Sequence, residues 1–288
     1  YRIPTAEYRV FTSYVHAKDY VNMKVAPLVI KADGLAAGKG VFVCRTVDEA
    51  TDALRLIIKE KAFGDAGNRV VVEECISGEE ASFMVFTDGK SVVPMASSHD
   101  HKRVFDNDEG PNTGGMGAYS PAPVITKAME DKIMEKVMWP VMKGLRSEGI
   151  EFKGILYAGL MIKDDNPYVL EFNCRLGDPE TQPVLSRLET DLVEISFGIL
   201  DEKLSDLEIR WKPEVAVCVV LASKGYPGTY EKGKVITGLE KIRGEDDTFV
   251  FHAGTVFNDS KVVTSGGRVL GVTALGNDIR EAKERAYK

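Results

Sequence analysis

The sequence is poor in cysteine, and its few cysteines are spaced unlike a metal site. The 288 residues include four cysteines, at positions 44, 75, 174 and 218, and no two of them form a Cys-x-x-Cys pair. This spacing argues against a structural zinc site. Few cysteines in a chain of this length, with no secretory signal at its start, are typical of a reducing compartment. We therefore expect a cytoplasmic protein.

Long apolar runs and a surplus of basic residues are also missing. The longest wholly apolar run covers the eight residues 215–222, whereas a membrane-spanning helix needs about 20. With 37 basic and 44 acidic residues, the net charge is −7, which does not favour a nucleic-acid partner. We expect binding to neither nucleic acid nor a membrane, so any phosphate chemistry must use a few local cations.

Predicted strands alternate with a few long helical segments along the chain. Helices are predicted over 46–64, 126–147 and 278–288, and a long polar loop over 99–123. The predicted strands cover 28–31, 41–44, 70–76, 81–97 (as a hairpin), 154–163, 167–173, 214–223, 248–257, 261–264 and 269–274. This mixture predicts an α+β fold, divided into segments 1–77, 78–210 and a mostly-β 211–288. Because the chain begins and ends abruptly, we expect it to be part of a longer protein.

A glycine-rich loop is the first candidate site. Lys31 ends a predicted strand, and residues 34–40 (Gly-Leu-Ala-Ala-Gly-Lys-Gly) lead into the next one. Glycines let backbone N–H groups approach an anion, and a lysine supplies positive charge. The spacing fits neither a Walker A loop nor a GxGxxG loop. Because the loop joins two strands, it predicts a flap over phosphates, with a plain glycine hairpin as the alternative.

A second candidate lies on the strand predicted over 167–173. Glu171, Asn173 and Arg175 occupy alternate positions along this strand, so we expect them to share one face, roughly 6–7 Å apart by Cα. A carboxylate and an amide oxygen are hard ligands suited to Mg²⁺, and an arginine can hold a phosphoryl group. The alternative is a solvated polar face of an edge strand.

The remaining candidates lie in loops and at a strand end. Lys102 supplies a cation in the loop 99–119, where residues 113–117 are predicted to present a run of backbone N–H donors to an anion. Asp178 and Glu180 lie in a tight turn fixed by its glycine and proline, where the ends of strands often place ligand groups. Glu73 and Glu74 end a strand that could read the edge of a purine. Each of these three could also be ordinary surface structure.

Taken in order, these motifs resemble those of the ATP-grasp ligases, and in particular the glycinamide ribonucleotide synthetase family. The matching stretches are 3–6, 29–40, 100–103, 111–119, 170–175 and 223–228, and 175–182 (Arg-Leu-Gly-Asp-Pro-Glu-Thr-Gln) is similar to the family signature, with Leu176 in place of its phenylalanine. The resemblance implies two α+β lobes that enclose ATP, followed by a small mostly-β domain. The family also has a further N-terminal domain and a final C-terminal strand that this sequence lacks.

The resemblance further implies a role for each candidate residue. Glu171 and Asn173 would bind Mg²⁺ or Mn²⁺, and Arg175 and Lys102 would stabilise the transferred phosphoryl group. ATP would contact the positions Lys31, Gly38, Lys39, Gly40, Glu73, Glu74, Ile76 and Glu80. The acceptor substrates would face the positions Asn112, Thr113, Gly114, Gly115, Met116, Gly117 and Asp178.

The implied reaction joins glycine to 5-phosphoribosylamine at the expense of ATP, in de novo purine synthesis. A glycyl phosphate intermediate is expected, because the carboxylate of glycine is a poor electrophile until it is phosphorylated. We expect a monomer. Two alternatives stay open: a chain that binds ATP and Mg²⁺ without turnover, and another ATP-grasp ligase of purine metabolism.

Overall fold

The computed structural model describes residues 1–36, 40–242 and 247–288, and it divides the chain into two compact units. Residues Pro4–Gly78 form one unit, here called the first lobe, and Tyr1–Ile3 with Glu79–Lys288 form the second lobe. The helices are α1 (Tyr14–Asn22), α2 (Val47–Leu54), α3 (Lys127–Ile133), α4 (Trp139–Ser147), α5 (Thr181–Ser186), α6 (Leu192–Leu200) and α7 (Ile279–Ala286). Short 3-10 segments lie at Gly64–Asn68, Asp106–Asp108, Leu204–Asp206 and Leu239–Ile242, and π-helical turns at Arg55–Lys59 and Met134–Met138.

The strands are short, and those that form sheets pair in an antiparallel manner throughout. In chain order they are β1 (Tyr8–Phe11), β2 (Leu28–Ala32), β3 (Val41–Cys44), β4 (Val70–Glu74), β5 (Glu79–Thr87), β6 (Val92–Pro94), β7 (His99–Asp100), β8 (Arg103–Phe105), β9 (Glu109–Asn112), β10 (Gly117–Ser120), β11 (Gly154–Lys163), β12 (Asn166–Asn173), β13 (Val215–Ala222), β14 (Thr248–His252), β15 (Thr255–Asn258), β16 (Lys261–Thr264) and β17 (Arg268–Gly276).

The first lobe is a four-stranded sheet with two helices packed against it. The strand order is β1-β4-β2-β3, and apolar residues of α1 and α2 bury Ile30 and Val72 in a common core. The hairpin of β2 and β3 confirms the two strands predicted around the glycine-rich loop. Successive strand residues point to opposite faces, so the core takes Leu28 and Ile30 and leaves Val29 and Lys31 on the other face.

The start of α2 follows from its first residues. The Thr46 side chain accepts a hydrogen bond from the Glu49 N–H at 3.1 Å, and the Glu49 carboxylate accepts one from the Arg45 N–H at 2.6 Å. Both bonds satisfy N–H groups that a helix start leaves without intrahelical partners. The start of the predicted helix 46–64 is therefore confirmed, with Thr46 as its N-terminal cap, and the helical segment ends at Lys59 rather than at 64.

In the second lobe, the sheet β12-β11-β5-β6 packs against the long helical segment 127–147. Met138 and Met142 on that segment and Phe83 and Leu160 on the sheet are almost fully buried. Pro140 lies in the first turn of α4 and cannot donate a backbone hydrogen bond. The π-helical turn at Met134–Met138 comes directly before it, and the predicted helix 126–147 is confirmed with this local change.

A second sheet of this lobe joins strands that are distant in sequence. Its order is β14-β17-β13-β10-β7, so β13 lies between β10 and β17. The prediction of one continuous loop over 99–123 is wrong, because β7 to β10 lie within it. The strand predicted over 248–257 is divided into β14 and β15, and α1, α5 and α6 were not predicted. Among the described residues, no helix is both long and apolar enough to cross a membrane.

Candidate functional site

In the first lobe, the candidate nucleotide-binding residues lie on the sheet face turned away from the core. Lys31 Nζ forms an ion pair with Glu73 Oε2 at 2.7 Å, across the pairing of β2 with β4. Val41 and Val43 on β3 are 40% and 44% exposed. This face therefore combines apolar side chains with a cation, which suits a nucleotide base and a phosphate respectively.

The other first-lobe candidates lie at the ends of strands. Glu74 ends β4, and its carboxylate accepts a hydrogen bond from the Glu7 N–H at 3.0 Å. Ile76 is buried. The Gly40 carbonyl accepts a hydrogen bond from the Ala32 N–H at 2.8 Å, which closes the hairpin around the glycine-rich loop. Gly38 and Lys39 lie outside the described residues, so their predicted role in phosphate binding stays a prediction.

The candidate metal ligands in the second lobe are in direct contact. Asn173 Nδ2 donates a hydrogen bond to Glu171 Oε1 at 3.1 Å, so the two side chains lie on one side of β12. Within the part of the chain that the structure describes, no group of three or more His, Cys, Asp or Glu side chains could hold a metal ion. Two oxygen-bearing side chains fit Mg²⁺, because this ion takes few protein ligands and completes its shell with water and phosphate.

Arg175 is held differently from the prediction. β12 ends at Asn173, so strand alternation no longer fixes the direction of the Arg175 side chain. The guanidinium instead donates to the carbonyl of Leu176 at 2.9 Å, and the residue is exposed. The prediction that Arg175 shares a strand face with Glu171 and Asn173 is therefore wrong, while its role toward a phosphoryl group stays a prediction.

Lys102 lies among carboxylates. Its ammonium is 2.5 Å from Glu80 Oε2 and 3.7 Å from Asp100 Oδ1. Burial alone would lower the pKa of Lys102, but Asp100, Glu80 and Glu171 together raise it above its usual value. The lysine is therefore a permanent cation near Glu171, and the Glu80 carboxylate, which was predicted to contact ATP, is paired with it.

A buried polar network around Glu180 and Asp100 lies next to Lys102 and was not predicted from the sequence. Glu180, 3% exposed, accepts hydrogen bonds from the Tyr157 hydroxyl at 2.8 Å and from Ser82 Oγ at 3.2 Å. Burial raises the pKa of Asp100 to about 6, with Lys102 opposing the shift and Glu180 and Glu80 adding to it. Glu180 was a candidate ligand group of the predicted turn, but its burial and these partners were not predicted.

The loop 112–117 does not offer the predicted run of donors. The N–H groups of Thr113, Gly114, Gly115 and Met116 donate to Lys102 O, Tyr226 Oη, Thr113 Oγ1 and His101 O respectively. That part of the prediction is wrong, because these donors already have partners inside the protein. The loop and Asp178 do lie together, since Arg268 contacts both Gly114 and Asp178. Arg268 and Tyr226 were not predicted as site residues. Tyr226 lies within the matching stretch 223–228, and the Gly-Gly turn at 266–267 directly precedes Arg268.

Comparison with solved structures defines the class of the fold. The biotin carboxylase domain of 2-oxoglutarate carboxylase from Hydrogenobacter thermophilus, solved with MgADP, aligns over 96% of this chain and 59% of that chain, with a TM-score of 0.67 and 15% identity. The phosphoribosylamine–glycine ligase of Thermotoga maritima aligns over 99% of this chain and 70% of that chain, with a TM-score of 0.86 and 37% identity. The chain has the ATP-grasp fold, as the resemblance implied.

Comparison with sequences defines the family within that class. A family model described as phosphoribosylglycinamide synthetase, ATP-grasp (A) domain, matches residues 1–181, and the C domain of the same synthetase matches residues 216–288. The phosphoribosylamine–glycine ligases of Vibrio parahaemolyticus and Escherichia coli K12 are 55% and 54% identical over the whole chain, which spans 67% of their length. This chain belongs to the phosphoribosylglycinamide synthetase family.

Proposed function

We propose that this protein joins glycine to 5-phosphoribosylamine with hydrolysis of ATP, as the names of its relatives indicate for those proteins. The observation that carries the proposal is the Glu171–Asn173 contact on β12, next to the cationic Lys102, in a chain of this family. Such a site suits phosphoryl transfer, in which a protein chiefly positions the reactants and neutralises charge.

The chemistry has two steps. The carboxylate of glycine first attacks the terminal phosphorus of ATP, forming glycyl phosphate and releasing ADP. The amine of 5-phosphoribosylamine then attacks the carbonyl carbon, a C–N bond forms, phosphate leaves, and the amine loses a proton. Neither step requires a side-chain nucleophile. Lys102 and Arg175 would stabilise the negative charge of the transferred phosphoryl group.

Glu171 and Asn173 are the residues that would hold the metal. A bound Mg²⁺ supplies charge neutralisation on the phosphate oxygens. Lys31 and the loop 34–40 would hold the phosphates of ATP, with Glu73, Glu74, Ile76 and Glu80 around its base and ribose. The apolar face of β2 and β3 next to the Lys31 cation supports this assignment.

The decisive experiment measures ADP release by the protein as its gene encodes it. We expect release to require Mg²⁺, glycine and 5-phosphoribosylamine together, and Lys102→Met to abolish it, because that variant removes the cation beside the metal pair. Lys143→Met, an exposed lysine on α4, is the matched control. Equal ADP release with and without glycine would contradict the proposal.

A second possibility is that the 288-residue chain binds ATP and Mg²⁺ without turnover. The observation that favours it is the coverage of 67% of the relatives' length. Titration with MgATP beside a turnover assay on the same protein distinguishes binding alone from catalysis.

The proposed setting is a monomer in a reducing cytoplasm that binds neither nucleic acid nor a membrane. The four free cysteines support the compartment, and the net charge of −7 supports the lack of a nucleic-acid partner. Sedimentation of the purified protein tests the oligomeric state. Activity with Mn²⁺ in place of Mg²⁺ tests the metal preference.

A further inference from the structure

An arginine from the C-terminal part of the chain joins two loops of the candidate acceptor site. Arg268, the first residue of β17, donates from Nη1 to the Gly114 carbonyl at 2.6 Å and to the Asp178 carbonyl at 2.8 Å. Its Nη2 pairs with Asp178 Oδ2 at 2.9 Å. One guanidinium therefore fixes two segments that lie 64 positions apart in the sequence.

The two loops approach each other closely around this group. A Cβ at position 114 would lie 3.0 Å from Arg268 Cζ, and one at position 115 would lie 2.3 Å from Pro179 Cδ. Gly115 also has a φ of +109°, which side chains other than hydrogen rarely allow. Glycine at 114 and 115 is what lets the loop 112–117 reach both the arginine and the turn at Asp178.

A tyrosine from the same part of the chain binds the backbone N–H of Gly114, whose carbonyl is bound by Arg268. The Tyr226 hydroxyl accepts a hydrogen bond from the Gly114 N–H at 3.0 Å. A Cβ on Gly267, the residue before Arg268, would lie 2.2 Å from Tyr226 Cδ2, so the ring is seated against the turn that carries the arginine. Both backbone polar groups of Gly114 are thus held by side chains that the C-terminal part supplies.

The contacts of Arg268 are those of a side chain that holds two loops in fixed positions, and not those of a mobile ion pair on the surface. Arg268 has only 22% of its side chain exposed, and its planar guanidinium directs several N–H donors in fixed directions. Charge-assisted hydrogen bonds of this kind are about twice as strong as neutral ones. A lysine at this position would keep the charge but not the geometry.

We propose that Arg268 is a positioning residue for the acceptor site: it holds the loop 112–117 and the Asp178–Pro179 turn in the arrangement that binds the phosphorylated ribosylamine. The inference rests on the proposed function. The arginine acts through the two loops and not on the reacting atoms. Its loss weakens binding of the ribonucleotide and leaves the first-lobe nucleotide site unaffected.

The test compares Arg268→Gln and Arg268→Lys with the unaltered protein as its gene encodes it. The probes are glycinamide ribonucleotide, the stable product, titrated with MgADP present, and MgATP titrated alone. We expect Arg268→Gln to weaken binding of the ribonucleotide by about tenfold or more, with MgATP affinity unchanged, and Arg268→Lys to recover part of the loss. Hydrogen exchange of the amides in 112–117 is expected to rise in Arg268→Gln.

The control is Arg280→Gln, which removes an exposed arginine from α7 in the same part of the chain. The proposal is overturned if Arg268→Gln binds the ribonucleotide as tightly as Arg280→Gln does. A rise in amide exchange alone would not rescue it, because the contact would then stabilise the loop without affecting binding. Equal loss of MgATP and ribonucleotide binding would also overturn it, since that indicates general unfolding. If the unaltered protein binds no glycinamide ribonucleotide, the proposed function itself fails.

Discussion

Among single residues, Asp100 lies in an environment that disfavours the ionised form of its carboxyl group. It is 9% exposed, its pKa is raised from 3.8 to about 6, and Lys102 only partly offsets the cost of its burial. A carboxyl group with a raised pKa binds protons more tightly in the folded than in the unfolded state. Its contribution to stability is therefore present at low pH and is lost as the pH rises from about 4 to about 6.

Replacing Asp100 with asparagine is expected to stabilise the fold at neutral pH. Asp100→Asn removes a buried ionised group without changing its size, so the free energy of unfolding at pH 7 is expected to rise by about 1–3 kcal/mol. The gain is expected to shrink as the pH falls toward 4. Urea unfolding at several pH values measures it, with the exposed Asp19→Asn as control. A gain that does not vary with pH would contradict this account.

The metal pair yields a second prediction at this scale. Glu171→Gln keeps the size of the side chain and removes its charge, so we expect the Mg²⁺ concentration for half-maximal ADP release to rise by about tenfold or more. The thermal midpoint is expected to stay within a few degrees because Glu171 is exposed. Glu208→Gln, with 84% of its side chain exposed, is the control. An unchanged Mg²⁺ requirement would remove Glu171 from the metal site.

The candidate site was predictable only where local geometry decides it. Glu171 and Asn173 lie within one strand, so the two-residue period was sufficient to bring them together. The same argument failed for Arg175, because the strand ends two residues earlier. The predicted N–H donors of 113–116 failed for a different reason, because glycine content does not show which acceptors the loop meets. Three of these N–H groups donate to acceptors within residues 101–113, and the fourth donates to Tyr226, more than a hundred positions away.

At the scale of elements, the N-terminal cap of α2 offers a direct test of local stability. Thr46→Ala removes the acceptor for the Glu49 N–H, and we expect a loss of about 1 kcal/mol in the free energy of unfolding. Thr51→Ala, in the middle of the same helix, makes the same chemical change without touching the cap. Urea denaturation of both variants measures the difference. Equal stability of the two variants would show that the cap contributes nothing.

Predicted elements were confirmed where apolar residues recur with one period over a sufficient length. The helix over 126–147 and the β2–β3 hairpin are examples. β7 to β10 were missed because they have two to four residues each, and because β9 and β10 include glycine, with proline in β9. α6 was missed because its own apolar residues lie on both its buried and its exposed sides. Ile195 is buried, while Phe197 and Leu200 are 62% and 65% exposed. A helix with no polar stripe gives no amphipathic period.

At the scale of the whole second lobe, Arg187 connects regions that the sequence analysis treated as separate segments. Its guanidinium donates to Ser120 Oγ at 2.9 Å and to the carbonyls of Glu214 at 2.6 Å and Lys212 at 3.1 Å. The residue is 7% exposed. Three acceptors would therefore lose a buried partner if this side chain were removed.

Arg187→Leu is expected to lower the free energy of unfolding by about 3 kcal/mol, because buried polar groups without partners are costly. Arg210→Leu, at a side chain 63% exposed, is expected to change it by no more than about 0.5 kcal/mol. Urea denaturation followed by circular dichroism measures both. Similar stabilities for the two variants would mean that water replaces the guanidinium at all three acceptors.

The central place of β13 has a consequence for how this protein can be varied. Residues 215–222 lie between β10 and β17 and hydrogen-bond to both, so the C-terminal part is not an appendage that can be exchanged freely. In a chimera that took this part from a distant relative, β13 of one protein would have to pair with β10 of another. The residues at 226 and 268 would also have to contact the loop at Gly114. We expect successful chimeras to be those in which residues 99–120 and 215–276 come from the same parent.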